Sequence, residues 1–345
     1  MYDYEIRNVL HAYYDMTTIK FMEHCDDIEI TNHRRKSFAE DVYGAQQWAW
    51  LLWSECDLNI DILRVNAMLS LSELEKVGKT IVILFNNWEK QKIMIPLIKE
   101  LNEGKTLEAS FAKLCKKLNS GERDICDIYK NMPDEQAKNI ERVYNMLDTL
   151  KVKIRQGIIN WNITGIRRES IAEHVYSTQQ LAWLMWVVSK EDIDIFRILA
   201  MLSIHETEEI IIGDITPYSG ISPEEKLRMG NEAVEKILHG LRQYVKMHSF
   251  IKEFDAEKTS DAFFAHLCDK LDCDLAVKFY SDGGYCSIEN ATLGMKENSE
   301  IQKFISNGAK TVADVFIMAD EHMYVNTIFK EIVDFVKDYN VSTMS

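Results

Sequence analysis

Residues 163–186, ITGIRRESIAEHVYSTQQLAWLMW, can be laid on residues 30–53, ITNHRRKSFAEDVYGAQQWAWLLW, at a constant offset of 133. Carried on to Glu206 and Glu73, the register holds without a gap, and 24 of the 44 aligned pairs are identical. Self-similarity on this scale, over two successive helical patterns, is the mark of a repeat, so the chain reads as a tandem duplication. The likeness resumes where FAKLCKKLN (residues 111–119) lies on FAHLCDKLD (residues 264–272), now at an offset of 153. The second copy therefore holds about 20 extra residues, around GDITPYSGISPEEKLRMGNEAVEKIL, which starts at Gly213.

Working outward, the 345 residues exceed the usual size of one hydrophobic core, which predicts two domains or one large helical one. The break falls within SGERDICDIYKNMPDEQ (residues 120–136), where Gly121 and Pro133 interrupt the periodicity, giving domains 1–135 and 136–345. Only 4 Pro and 14 Gly among abundant Leu, Ile, Glu, Lys and Met predict an all-α fold with short connections. One amphipathic pattern (Ile6, Val9, Leu10, Tyr13, Tyr14) opens the chain. After the turn at Gly283-Gly284, two more helical patterns are expected, at about 297–307 and 312–339.

A formal net charge of -15 excludes a nucleic acid polymer as partner, because such binding needs a basic face. A small phosphorylated ligand remains compatible, since a local pocket or a bound cation offsets the global sign. The start, MYDYEIRNVLHAYY, lacks the basic and apolar regions of a secretory signal, and the longest apolar runs are about half of what a bilayer requires. The expectation is a soluble cytoplasmic protein. Seven Cys without a CxxC pair point to buried reduced thiols, with neither a disulfide framework nor a Cys-type zinc site.

The duplication supplies an internal control. Arg167, Arg168, Ser170, Glu173, Tyr176, Gln179, Gln180, Trp183 and Trp186 all recur in the first copy and read as packing, capping and satisfied polar groups. Cys115 and Cys268 are equivalent and read as packing too. Four acidic or imidazole positions do not recur: His174 faces Asp41, His205 faces Ser72, Glu209 faces Lys76 and Asp269 faces Lys116. A Lys opposes a cation, so no metal site is expected in the first copy. In the second, the adjacent His205 and Glu206 can reach inward from one helical turn, with His174 and Asp269 arriving from other helices. Two imidazoles and two carboxylates suit one divalent ion with open positions for water and substrate. Such an ion lowers the pKa of bound water and neutralises charge on a phosphoryl oxygen. The residues do not distinguish Mn, Co, Zn, Fe, Ni and Mg.

The order H…HE…D, in the settings EHVYSTQQLA, RILAMLSIHETEEIIIGDITP and HLCDKLDCDLA, resembles the HD-domain phosphohydrolases. It is most similar to their 5'-deoxynucleotidase group. The resemblance covers about residues 155–280, with residues 30–119 as a degenerate copy. It implies an all-helical fold, a dimeric habit, a divalent metal and hydrolysis of a nucleoside 5'-monophosphate. By position it implies His174, His205, Glu206 and Asp269 as metal ligands, Glu209 as the catalytic acid-base and Asp214 as a contact to the sugar hydroxyl. Arg155 is matched to the arginine that grips the substrate phosphate, for which a planar guanidinium is suited. One departure is plain: the family has His-Asp where this chain has His205-Glu206, and Glu73 shows the same residue in the first copy. The expected architecture is two HD-type bundles packed as an internal pseudo-dimer, in a monomer or a higher homo-oligomer. The expected function is a metal-dependent phosphomonoesterase. The His-Glu motif also leaves open a non-catalytic protein that binds a nucleotide or metal, or a regulatory scaffold.

Overall fold

The computed structural model describes residues 1–24, 34–78, 90–122 and 127–344. The first four aligned pairs of the repeat and part of the expected domain break therefore lie outside the described residues. The fold is all-α, with two isolated β-bridges, Glu23 to Ser37 and Ile154 to Ser170, and no strand among the described residues.

Two helices form the centre: α2 (Phe38–Glu55) and α7 (Ile171–Val188), counting the longer helices in chain order. Each begins with a reciprocal capping box, Ser37 with Glu40 and Ser170 with Glu173, which satisfies two of the amide donors left open at a helix start. Each is buried on nearly all sides, the pattern of a core helix. They pack on one another, as do α3 (Ile62–Ser70) and α8 (Ile195–Leu202). Further out lie α4 (Gln91–Glu103), α5 (Leu107–Asn119), α9 (Pro223–Leu238), α10 (Tyr244–Ala256) and α11 (Ser260–Asp282).

The contacts between the two segments come in matched pairs. Gln46 Nε2 donates to Gln179 Oε1 at 2.7 Å, and Gln179 Nε2 donates back to Gln46 Oε1 at 3.1 Å. Trp50 Nε1 donates to Ser203 Oγ at 2.8 Å and Trp183 Nε1 to Ser70 Oγ at 2.9 Å. Gln47 and Gln180 donate to the Ser203 and Ser70 carbonyls at 2.9 and 3.0 Å. Every one of these residues is separated from its counterpart by the offset of 133 seen in the sequence. The amide and indole donors of these Gln and Trp residues are thus satisfied, as expected, whereas Gln47 Oε1 and Gln180 Oε1 are buried without a partner.

Two flanking helices change sides. Helix α1 (Asp3–Thr17) packs on α7 and α11, whereas α6 (Asp134–Asp148) packs on α2. Tyr176 donates to the Met16 carbonyl at 3.0 Å and Tyr43 to the Leu147 carbonyl at 3.1 Å, fixing the two exchanges in the same way. A single buried apolar cluster, from Ile6 to Met344, consequently runs through both segments. A second, around Trp161, Tyr280 and Val312, seats the C-terminal helices on α11. The first expected C-terminal pattern is α12 (Ser299–Ser306). The second is not one helix but two, α13 (Val312–Asp320) and α14 (Thr327–Asp338), because Asn326 caps a new start and Tyr324 turns inward to Asp274.

Candidate metal centre

His174 sits on α7, buried, and is held from both sides. Its Nδ1 lies 2.9 Å from Asp272 Oδ2, and its Nε2 lies 2.8 Å from Asp269 Oδ1 and 3.3 Å from Glu206 Oε1. Asp269 and Asp272 are three residues apart on α11 and so present to one face. Asp272 in turn accepts from Ser177 Oγ at 2.9 Å and, through its other oxygen, from Tyr13 OH at 2.7 Å. An imidazole with one nitrogen on a carboxylate and the other turned to a ligand cluster is the arrangement that orients metal-binding histidines.

His205 and Glu206 do not stand on a regular helical turn. Helix α8 ends at Leu202, and the chain runs on through i to i+3 turns: Ile204 to Met201, Thr207 to Ile204 and Glu209 to Glu206. The same tightening occurs at Ser72 to Leu69 and Lys76 to Glu73 in the first segment. Within this path the longer Glu206 side chain still brings Oε1 to 3.6 Å from His205 Nε2. The ligand atoms of His174, His205, Glu206 and Asp269 all lie within 4.8 Å of one another, in buried surroundings.

One atom tests whether this donor set fits a cation. His205 Nδ1 is 2.8 Å from the Leu202 carbonyl, which can only accept, so Nδ1 carries the hydrogen. Nε2 then presents a lone pair, buried and without a partner, 3.5 Å from Asp269 Oδ1 and 3.6 Å from Glu206 Oε1. A buried lone pair facing two acceptors costs about 1–3 kcal/mol unless a positive charge lies between them. The residues present fit a divalent ion.

The other predicted residues gather around the cluster. Arg155 Nη1 donates to Glu206 Oε1 at 2.8 Å, and its Nε is 3.7 Å from Asp214 Oδ2. Asp214 also accepts from the Gln156 amide at 2.7 Å, so it is tied to the same loop. Burial and the nearby Glu206 and Asp214 carboxylates push the Glu209 carboxyl well above its usual range, and its Oε2 has no partner. Burial and the two carboxylates thus favour the protonated form of Glu209. Burial opposes ionisation of Glu206 too, but the His205 and His174 rings, when they are protonated, and the Arg155 guanidinium outweigh it and hold Glu206 well below the usual range. Two glutamates three residues apart are driven in opposite directions, which is how acid and ligand roles separate.

Asp272 and Tyr13 were not singled out in the sequence. Asp272 was within reach of prediction, standing one helical turn after Asp269. Tyr13 was not, because it arrives from 259 residues away. Glu208 and Asp255 also lie near; burial raises both, Asp255 to about 6.

Residues 147–312 match the model of the HD domain family. This part of the chain is similar to HD domains. It and its surroundings are similar to a human protein named 5'-deoxynucleotidase HDDC2, 24% identical over 177 residues, which covers 49% of this chain and 84% of that protein. A Schizosaccharomyces pombe protein named 5'-deoxynucleotidase hdd1 is 32% identical over 133 residues, 36% of this chain and 64% of its own. A Dictyostelium discoideum protein named 5'-deoxynucleotidase HDDC2 is 26% identical over 151 residues, 41% and 77% respectively. No helix among the described residues is long and apolar enough to cross a membrane.

Proposed function

We propose that the chain is a metal-dependent phosphomonoesterase whose substrate is a nucleoside 5'-monophosphate or a similar small phosphate. The observation that carries this reading is the unpartnered His205 Nε2 inside the buried His174, His205, Glu206 and Asp269 cluster. A divalent ion bound there would activate water and offset charge on the phosphoryl group. Arg155 grips a phosphate oxygen, exchanging its bond to Glu206 for one to the substrate. Glu209 donates its proton to the ester oxygen as that oxygen leaves phosphorus. Asp214 accepts from a sugar hydroxyl. The relatives named as 5'-deoxynucleotidases support the nucleotide as substrate class.

The two repeat segments are, in this reading, copies of one ancestral domain packed as an internal pseudo-dimer. The reciprocal Gln46–Gln179 and Trp–Ser bonds support it, since a two-fold interface pairs each residue with its partner's counterpart. The first copy then occupies the place of a second subunit.

A second reading, binding without turnover, draws on one observation: the Arg155 guanidinium is already engaged by Glu206. Metal analysis of protein purified without chelator, followed by phosphate release from nucleoside 5'-monophosphates with Mn, Co, Zn or Mg, separates the two. About one metal ion per chain and metal-dependent release is the expected result. Release that survives both His174→Ala and Asp269→Ala would overturn the site. Turnover restored only by Glu206→Asp would favour the binding protein.

A further inference from the structure

The N-terminal segment has a cluster of charged side chains at the positions that correspond to the metal cluster of the other segment. The backbone fixes the correspondence: the His24 amide donates to the Lys36 carbonyl at 3.1 Å just as the Arg155 amide donates to the Glu169 carbonyl at 3.1 Å. His24 therefore stands for Arg155, Asp41 for His174, Ser72 for His205, Glu73 for Glu206, Lys76 for Glu209 and Lys116 for Asp269.

These residues form one connected group. Lys116 Nζ lies 2.7 Å from Glu73 Oε1, and Lys76 Nζ 3.6 Å from Glu73 Oε2. Lys76 also sits 3.9 Å over the Phe38 ring, whose other neighbour is the His24 ring at 4.1 Å. His24 Nε2 contacts Asp41 Oδ2, and Lys36 Nζ reaches Asp41 Oδ1 at 2.7 Å. Among the described residues, three ammonium groups thus face two carboxylates, leaving a surplus of one positive charge before His24 is counted. In a chain of net charge -15 such a surplus is local and specific.

Two features point past simple neutralisation. Lys116 and Lys76 keep side-chain exposures of 36% and 34%, and of the three donors on each ammonium only Lys116 places one within hydrogen-bonding distance of Glu73, at 2.7 Å, while Lys76 stands at 3.6 Å. Ser72 Oγ, where His205 stands in the other half, is buried and has no partner. A hydroxyl with a free donor, on the residue before the glutamate that both ammonium groups face, makes with them a donor set that a phosphate accepts.

We propose that this cluster binds a phosphate dianion without a metal ion, as inorganic phosphate or as the phosphate of a nucleoside 5'-monophosphate. Lys116, Lys76 and Lys36 supply the charge and Ser72 a hydrogen bond. No phosphorus–oxygen bond is broken there, because the cluster has neither the imidazole pair nor a proton-bearing counterpart of Glu209.

The experiment uses the full chain freed of metal with chelator, so its outcome is independent of turnover at the HD site. Inorganic phosphate and a nucleoside 5'-monophosphate are titrated separately by calorimetry, at low and high salt. The expected result is salt-sensitive binding of at least one of them. That binding should weaken about tenfold or more in Lys116→Gln/Glu73→Gln, which removes a charge-assisted donor while leaving no buried charge unpaired. Lys76→Met gives a loss in the same direction and leaves the Lys116–Glu73 pair intact, guarding against a folding artefact in the double variant. Equal affinity for the two probes assigns the site to phosphate itself, and tighter nucleotide binding assigns it to the nucleotide. Absence of binding by the metal-free chain would overturn the proposal. So would binding that is lost in Arg155→Ala and unchanged in the lysine variants, since the anion would then sit in the HD pocket.

Discussion

The two clusters of this chain are built on helices that correspond residue for residue, and each keeps a buried glutamate at the same turn, Glu73 in one and Glu206 in the other. Each glutamate needs a positive partner, because a carboxylate cannot be buried alone. In the N-terminal half a lysine ammonium stands 2.7 Å away and satisfies it permanently. In the C-terminal half the position of that lysine is Asp269, which adds negative charge in place of removing it. Glu206 is left with Arg155 and two imidazoles, one of which offers only a lone pair. A cation covalently tethered as a side chain leaves no need for a metal at Glu73. The same place lined by acceptors can hold an exchangeable cation.

The contrast is broken most severely by removing a ligand. Asp269→Asn or His205→Ala should lower metal affinity more than about 100-fold, exceeding the effect of losing an outer partner, while Glu73→Gln leaves metal content unchanged. Metal analysis after dialysis against graded chelator reads both; loss of metal in Glu73→Gln would place the ion in the wrong half. Next in size, Asp272→Asn should weaken metal binding about 10–100-fold by freeing the His174 ring. Tyr13→Phe should act in the same direction and by less. A cobalt-substituted absorption spectrum that shifts in both variants would show that the N-terminal helix serves the C-terminal site, and an unchanged spectrum would deny it.

The symmetric part of the core predicts matched effects. Ser70→Ala and Ser203→Ala each leave a buried indole N–H without its acceptor and should each cost about 1–3 kcal/mol in urea unfolding. Unequal losses would show that the two halves are not packed alike. An effect spread over a pH window concerns Glu40, at the junction of the halves with Arg34, Arg167 and Glu173. Burial and the Glu173 charge push its carboxyl from 4.5 up to about 7. The folded chain then keeps a proton that the unfolded chain has lost between those values. Its contribution is therefore present below pH 4.5 and declines as pH rises through 7, with a slope of at most about 1.4 kcal/mol per pH unit. Glu40→Gln should flatten that slope in urea midpoints measured across the window.

Much of the site was legible because the chain carries its own comparison. His174, His205 and Asp269 stood out as positions where the copies disagree, and the structure brings them together with Glu206. Arg155, Glu209 and Asp214 were expected from the family resemblance alone, and they lie around the same cluster. What was not legible depends on contacts across long separations. Tyr13 reaching Asp272 and Lys116 closing on Glu73 leave no periodic trace, and the turn geometry at His205 departs from the helix that local pattern predicts.

By itself the sequence determined the helices, the recurring Gln, Trp and capping residues, and the ligand types of the second segment. These depend on local propensity and on a register that can be read along the chain. Only the tertiary structure decided that α1 crosses to the C-terminal segment while α6 crosses to the N-terminal one. It also decided that one half closes its glutamate with lysine while the other leaves a lone pair waiting. An amphipathic helix specifies that a face must be buried, but not against which neighbour, and that choice is settled by the packing of the whole chain.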